Sequence, residues 1–156
     1  MFANVLIVCH ANVCRSPAAE MLFKACHAAT ARSDAGTRGS DARIDFRSAG
    51  IRALEGDDMD PVMRRLLAER GVATEGHRAR RLNRHIVRDA DLILVTERAQ
   101  VKDVESLDPT SRGKVYPLGK WEDSDVADPH GGHEAGYRES LVLIEHLVMG
   151  WLQKIC

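Results

Sequence analysis

Residues Val5 to Pro17 read Val-Leu-Ile-Val-Cys-His-Ala-Asn-Val-Cys-Arg-Ser-Pro, and they constrain this chain more than any other segment. The apolar, β-branched run from Val5 to Val8 predicts a strand buried on both faces, because no polar residue alternates within it. Five residues separate Cys9 from Arg15, and Ser16 and Pro17 then mark a helix start, with Pro17 suited to the first helical position. A strand, a short loop and a helix N-terminus therefore follow one another within thirteen positions. Such a junction favours a phosphate: amides at a helix start lack intrahelical acceptors, and the helix dipole adds positive potential. A thiolate, the nucleophilic form of cysteine, is favoured in the same place beside a guanidinium. Arg15 can hold two phosphate oxygens with its planar fork, and Ser16 can donate its hydroxyl to the sulfur of Cys9. A Cys followed six residues later by an Arg is a weak signal by itself. The strand before it and the Ser-Pro pair after it supply the context that makes it strong.

Composition limits what surrounds this junction. The chain has 156 residues and a net charge of −1, from 22 Lys and Arg against 23 Asp and Glu. That length suits a single domain, and the charge gives no global positive field for nucleic acid or an anionic membrane. No apolar run approaches the roughly 18 residues of a membrane span, so no membrane insertion and a cytoplasmic location are expected. Cys9, Cys14, Cys26 and Cys156 have neither zinc-ligand spacing nor the density of a secreted disulfide framework, which suits a reducing compartment.

Along the chain, Pro17 to about Ala29 is rich in helix formers, and Thr30 to Ala42 reads as a surface excursion. Ile44 to Ser48 alternates like an edge strand and leads into Ser48-Ala49-Gly50. Asp60-Pro61 is an N-cap and first helical position, with Val62, Leu66 and Leu67 on one face and Gly71 as the stop. Arg78, Arg80, Arg81, Arg84 and Arg88 read as a solvated basic face before a strand at Leu92 to Val95. Thr96 is expected to cap a helix running to about Leu107, and Val115 to Leu118 forms the next strand. Tyr137, Leu141, Ile144, Val148, Trp151 and Ile155 recur at spacings of four, three, four, three and four, the pattern of an amphipathic helix. Strands alternating with helices imply an α/β single domain: a four-stranded parallel sheet with helices on both faces and the phosphate-binding loop after strand 1.

Phosphoryl transfer through a covalent intermediate needs a nucleophile, charge stabilisation and an acid for the leaving oxygen. The loop supplies the first two. For the acid, the residues alone leave Asp123, Asp125 and Asp128 open. The chain resembles the low-molecular-weight protein tyrosine phosphatases, especially their bacterial members. Their loop runs Cys, any residue, Gly, Asn, aliphatic, Cys, Arg, Ser, Pro, matched here by Cys9, Asn12, Val13, Cys14, Arg15, Ser16 and Pro17. The resemblance continues through Ser48-Ala49-Gly50, His77 and Asp128-Pro129 and covers nearly the whole chain. It implies a phosphotyrosine protein phosphatase that needs no cofactor or metal. Cys9 would be the nucleophile, Arg15 the phosphate clamp and Asp128 the general acid and base of a phosphocysteine mechanism. His10, Ala11, Asn12, Val13, Cys14 and Ser16 would wrap the phosphate, and Asn12, Ser48 and His77 would brace the loop. The implied partners are a phosphotyrosine protein substrate and, by analogy with bacterial relatives, a tyrosine kinase of polysaccharide export.

Several positions depart from the family pattern. Ala11 replaces glycine, which requires either a negative φ or some strain. His130-Gly131-Gly132 follows Asp128-Pro129 where aromatic residues often line the slot for a phenyl ring. Leu54 is the best candidate for the opposite rim, and His10 is expected at the pocket mouth. His130 and His133 lack the carboxylate or thiolate pattern of a metal site. Arsenate reductases of this type carry further cysteines after the His77 region, and none occurs here between Cys26 and Cys156. Protein-arginine phosphatases have Thr at the position of Val13, whose aliphatic side chain favours an aryl phosphate. A phosphate-binding module without turnover is the third alternative, opposed by the retained nucleophile, arginine and acid. Cys9 and Cys14 share one short loop and can form a reversible disulfide under oxidation, a hypothesis tested with peroxide. Peptide mapping by mass spectrometry checks this, and a map without a Cys9 to Cys14 link would sink the idea.

Overall fold

Strand β1 (Asn4–Cys9) lies inside a four-stranded sheet of order β2-β1-β3-β4, and its alternating side chains feed two separate cores. The computed structural model describes residues 2–33 and 43–156. β1 pairs in parallel with β2 (Asp45–Gly50), with Cys9 opposite Gly50, and with β3 (Leu92–Val95), with Ile7 opposite Leu94. β3 pairs in parallel with β4 (Val115–Pro117). Val5, Ile7, Phe46, Leu92 and Leu94 face one core with helices α1 (Arg15–Ser33), α2 (Pro61–Glu69) and α5 (Glu134–Ile155). Leu6, Val8, Ile93, Val95 and Val115 face the other, against Val87 of α3 (Arg84–Asp89) and Val104 of α4 (Gln100–Leu107). A strand covered on both sides has no solvated face, which is why β1 and β3 carry uninterrupted apolar runs. No helix among the described residues is long and apolar enough to cross a membrane.

The expected strands are all present, and β2 is an edge strand as its alternation predicts. Some helix boundaries differ from expectation for local reasons. α1 starts at Arg15, so Pro17 is its third residue and not its first. Proline fits there because the amides of the whole first turn lack intrahelical acceptors. α1 also continues through Ser33, so Thr30 to Ser33 is helix; the remainder of the expected excursion, 34–42, lies outside the described residues. Thr96 does not cap α4: its hydroxyl donates to Oε1 of Gln100 at 2.9 Å, and that same oxygen accepts the amide of Glu97 at 2.9 Å. α4 therefore begins at Gln100, whose side chain reaches back over the turn.

The basic stretch is not uniformly solvated. α3 interrupts it, capped by Asn83, whose Oδ1 accepts the amide of Ile86 at 2.9 Å. Arg78 pairs with Asp58 at 2.8 Å and Arg88 with the buried Asp108 at 3.2 Å. Arg80 is half-buried and donates through Nε to the carbonyl of Ser48 at 3.0 Å. Helix α2 follows expectation: the Asp60 side chain accepts the amides of Val62 and Met63, Pro61 opens the helix, and Gly71 at φ 74° follows its end. The apolar stripe of α5 is buried as its spacing predicts, with Ile144 fully inaccessible. Ile144→Ala leaves a cavity between layers and is expected to cost about 2–5 kcal/mol of unfolding free energy, measured by urea titration.

Candidate active site

β1 ends at Cys9, the chain turns over 10–14, and α1 begins at Arg15. Asn12 holds the turn with a left-handed backbone, φ 59°, a conformation asparagine tolerates better than most residues. Ala11 is not among the positive-φ residues, so alanine in place of the expected glycine introduces no backbone strain. Gly50, at the end of β2, is constrained differently. A Cβ there would lie 2.8 Å from backbone atoms of His10, Ala11 and Asn12, so only glycine lets the two segments approach this closely.

The direction of each hydrogen bond around the thiol can be worked out. Asn12 Oδ1 accepts the amide of Arg80 at 2.9 Å, which leaves Nδ2 to donate to Oγ of Ser16 and Oγ of Ser48, each at 2.9 Å. Each serine oxygen already accepts one proton there, so its own proton points elsewhere. Ser48 donates to Oε1 of the buried Glu20, and Ser16 is left to donate to Cys9 Sγ, 2.9 Å away. The Asn12 amide adds a second donor to that sulfur at 3.3 Å, and His77 Nε2 donates to the Asn12 carbonyl at 2.9 Å. Cys14 is also buried beneath the loop. Burial, with Asp60, Asp128 and Cys9 adding to it against the opposing charge of Arg15, pushes its thiol well above the ordinary range. Cys14 is therefore a protonated, apolar filler at neutral pH, and any disulfide it forms with Cys9 is expected to form slowly.

Arg15 is 2% exposed and pinned from behind. One terminal amine donates to Oε2 of Glu97 and, at 2.9 Å, to the carbonyl of Val126. Nε and the other terminal amine are left for an anion, with Asp128 Oδ2 3.7 Å from the latter. The three candidate acids separate clearly. Arg98 holds Asp123 at 2.7 Å and Asp125 at 3.2 Å on the outside of the loop, whereas Asp128 lines the cavity above Cys9. That cavity, about 450 Å³, is also lined by His10, Val13, Arg52, Leu54, Asp60 and His130. Leu54 is 66% exposed at its rim, and His10 is exposed beside it. A larger hollow of about 850 Å³ beside α1 and β2 is lined by Lys24, Arg47 and Arg80 and reaches no cysteine.

The family model for low molecular weight phosphotyrosine protein phosphatases matches residues 4–156. The chain belongs to that family. Among relatives of the low molecular weight phosphatases, one described as the probable low molecular weight protein-tyrosine-phosphatase EpsP of Ralstonia nicotianae is 35% identical over 155 residues, 99% of this chain and 97% of that protein. The crystal structure of the tyrosine phosphatase Wzb from Escherichia coli K30 in complex with sulphate has a TM-score of 0.87 at 27% identity and covers 100% of both chains. The YwlE arginine phosphatase from Geobacillus stearothermophilus has a TM-score of 0.83 at 25% identity, covering 98% of this chain and 92% of that one.

Cys9, His10, Val13, Cys14, Arg15 and Asp128 line this one pocket, and Asn12, Ser16, Ser48 and His77 make the hydrogen bonds directly behind it. Four participants were not visible in the sequence: Glu97 and Glu20, which hold Arg15 and Ser48, and the pair of Asp60 and Tyr137. Asp60 reads only as a helix cap, yet its Oδ2 accepts Tyr137 Oη at 2.7 Å and lies 2.6 Å from Nδ1 of His130. No local pattern announces such contacts, because the partners are 77 and 70 residues away. Burial alone would raise the Asp60 pKa, but the bonds from Tyr137, His130 and the amides of Met63 and Val62 outweigh it and hold the carboxyl below its ordinary range. A carboxyl depressed on folding stabilises the protein above its unfolded pKa, and the benefit disappears as pH falls through the folded value. Asp60→Asn is therefore expected to lose about 1–3 kcal/mol at pH 7, with the gap from wild type closing in urea titrations as pH falls below the ordinary carboxylate range of about 4.

Proposed function

We propose that this chain is a phosphotyrosine protein phosphatase that hydrolyses phosphate monoesters through a phosphocysteine intermediate. The observation that carries the reading is the set of donors converging on Cys9 Sγ, Ser16 Oγ at 2.9 Å and the Asn12 amide at 3.3 Å, beneath an Arg15 fork with Asp128 on its far side. In this mechanism the Cys9 thiolate attacks phosphorus in line with the leaving oxygen. Loop amides and the free part of the Arg15 fork take the charge on the equatorial oxygens. Asp128 gives its proton to the departing phenolate oxygen, so a neutral phenol leaves and an ionised Asp128 remains. That carboxylate then removes a proton from water, which attacks the phosphocysteine, and the sulfur departs as a thiolate stabilised by Ser16.

The pocket walls favour an aryl phosphate over a phosphorylated guanidinium. Val13 is half-buried against the core and offers the pocket an aliphatic surface with no hydroxyl for a guanidinium N–H. The tyrosine-phosphatase descriptions of the relatives point the same way, while the arginine phosphatase neighbour makes phosphoarginine the comparison substrate. The balanced charge and the absence of a long apolar helix among the described residues suit a cytoplasmic protein acting on protein substrates. The test is hydrolysis of phenyl phosphate and of a phosphotyrosine peptide in the presence of a chelator. Turnover by wild type is expected to persist, Cys9→Ser to lose roughly a thousandfold or more, and Asp128→Asn to lose about a hundredfold or more. Undiminished turnover by Cys9→Ser would overturn the mechanism, faster turnover of phosphoarginine peptides would reassign the substrate, and phosphate binding without wild-type turnover would make the chain a binding module.

A further inference from the structure

The turn that follows Asp128 has little stiffness of its own. Gly131 takes φ 80° and is followed by Gly132, and the Gly132 amide bonds to the Pro129 carbonyl at 2.9 Å within the turn itself. Two contacts tie the turn to other elements: the Gly131 amide donates to Tyr137 Oη at 3.0 Å, and His130 Nδ1 lies 2.6 Å from Asp60 Oδ2. Among the described residues, His130 supplies the only side chain from Pro129 to Gly132 that bonds to another element.

Its partner is well fixed. Asp60 is 4% exposed and uses both carboxylate oxygens: Oδ1 accepts the amides of Val62 and Met63, and Oδ2 accepts Tyr137 Oη together with the His130 ring. Oδ2 is an acceptor, so Nδ1 of His130 carries a proton and donates it. The Asp60 amide in turn donates to the Val13 carbonyl at 2.8 Å, which ties the carboxylate to the phosphate loop. At the other end, the His130 amide donates to Asp128 Oδ1 at 3.1 Å. A continuous path therefore runs from the phosphate loop through Asp60 and His130 to the Asp128 carboxyl.

We propose that His130 is a positioning residue, whose Nδ1–H on Asp60 latches the turn bearing Asp128 to the start of α2 and fixes the Asp128 carboxyl over the leaving oxygen. This rests on the reading of Asp128 as the general acid. The His130 side chain is 59% exposed, so replacing it leaves the core intact and its role is read in kinetics. A proton donor matters in proportion to the basicity of the oxygen it protonates, so a mispositioned acid slows substrates with basic leaving groups and spares activated ones. The ratio kcat/KM isolates the phosphorylation step, in which that oxygen departs.

The experiment compares kcat/KM for phenyl phosphate and for 2,4-dinitrophenyl phosphate. His130→Phe is expected to lose about tenfold or more with phenyl phosphate and about twofold or less with the dinitrophenyl ester, while His130→Gln, whose amide can donate to Asp60, recovers part of the loss. Asp60→Asn is expected to show the same selectivity. Asparagine caps α2 through its carbonyl oxygen and places Nδ2 where a carboxylate oxygen accepted two protons, so the His130 ring must change tautomer and loses its charge-assisted bond, which weakens the latch without removing the cap. The double variant should be no worse than either single one, since both remove the same link. Equal losses on the two esters, or none, in His130→Phe while Asp128→Asn keeps a selective loss would overturn the latch alone. Absence of a selective loss in Asp128→Asn would overturn the acid assignment, and the latch with it.

Discussion

Asn12 is the residue on which the site geometry depends, because every one of its polar groups is committed to a bond with another segment. Its amide faces Cys9, its carbonyl accepts from His77, its Oδ1 accepts from Arg80, and its Nδ2 donates to Ser16 and Ser48. The left-handed backbone is what lets the amide turn inward to the sulfur while the carbonyl turns outward to His77. One residue thereby joins the end of β1, the first turn of α1, β2 and the 77–80 segment. Its carboxamide also decides the direction of both serine hydroxyls, so the proton that Ser16 offers to Cys9 is set by a bond made on its other side.

The sheet order explains how the other groups reach that point. All four strands are parallel, so their carboxyl ends share one edge, and β1 sits where the chain moves to β2 on one side and β3 on the other. Loops after adjacent strands diverge at such a point and leave a crevice. The loop after β1 joins Cys9 to Arg15, the loop after β3 brings Glu97, and the loop after β4 brings Asp128. Arg15 is held by two of these loops, from Glu97 and from the carbonyl of Val126, before any anion arrives.

Physical range separates what could be read in the sequence from what could not. The strand-loop-helix junction was legible because its chemistry lies within thirteen consecutive residues, and α5 because its spacing of threes and fours repeats over its length. The start of α1 lies two residues before the position Pro17 suggests, because proline is tolerated within a first turn whose amides lack intrahelical acceptors. α3 leaves little trace in the sequence because it has only six residues and its two arginines belong to a longer basic stretch. Arg80 looked like a solvated charge, and only the fold brings its side chain to the Ser48 carbonyl. The chain of Asp60, Tyr137 and His130 joins residues far apart in sequence, and pairings of that kind leave no periodicity to find.

The first turns of α1 carry a thermodynamic consequence. From Cys14 to Phe23 the side chains are buried on every side of the helix, and α1 touches α5, β1, β2 and α2. The anion loop is therefore continuous with the centre of the core, with no separable lid between them. It cannot open locally without the domain opening, so its amides should exchange with solvent only as slowly as the globally protected core. An anion bound there is linked to the whole folding equilibrium, and its affinity is readable as a shift in the melting temperature of the entire chain.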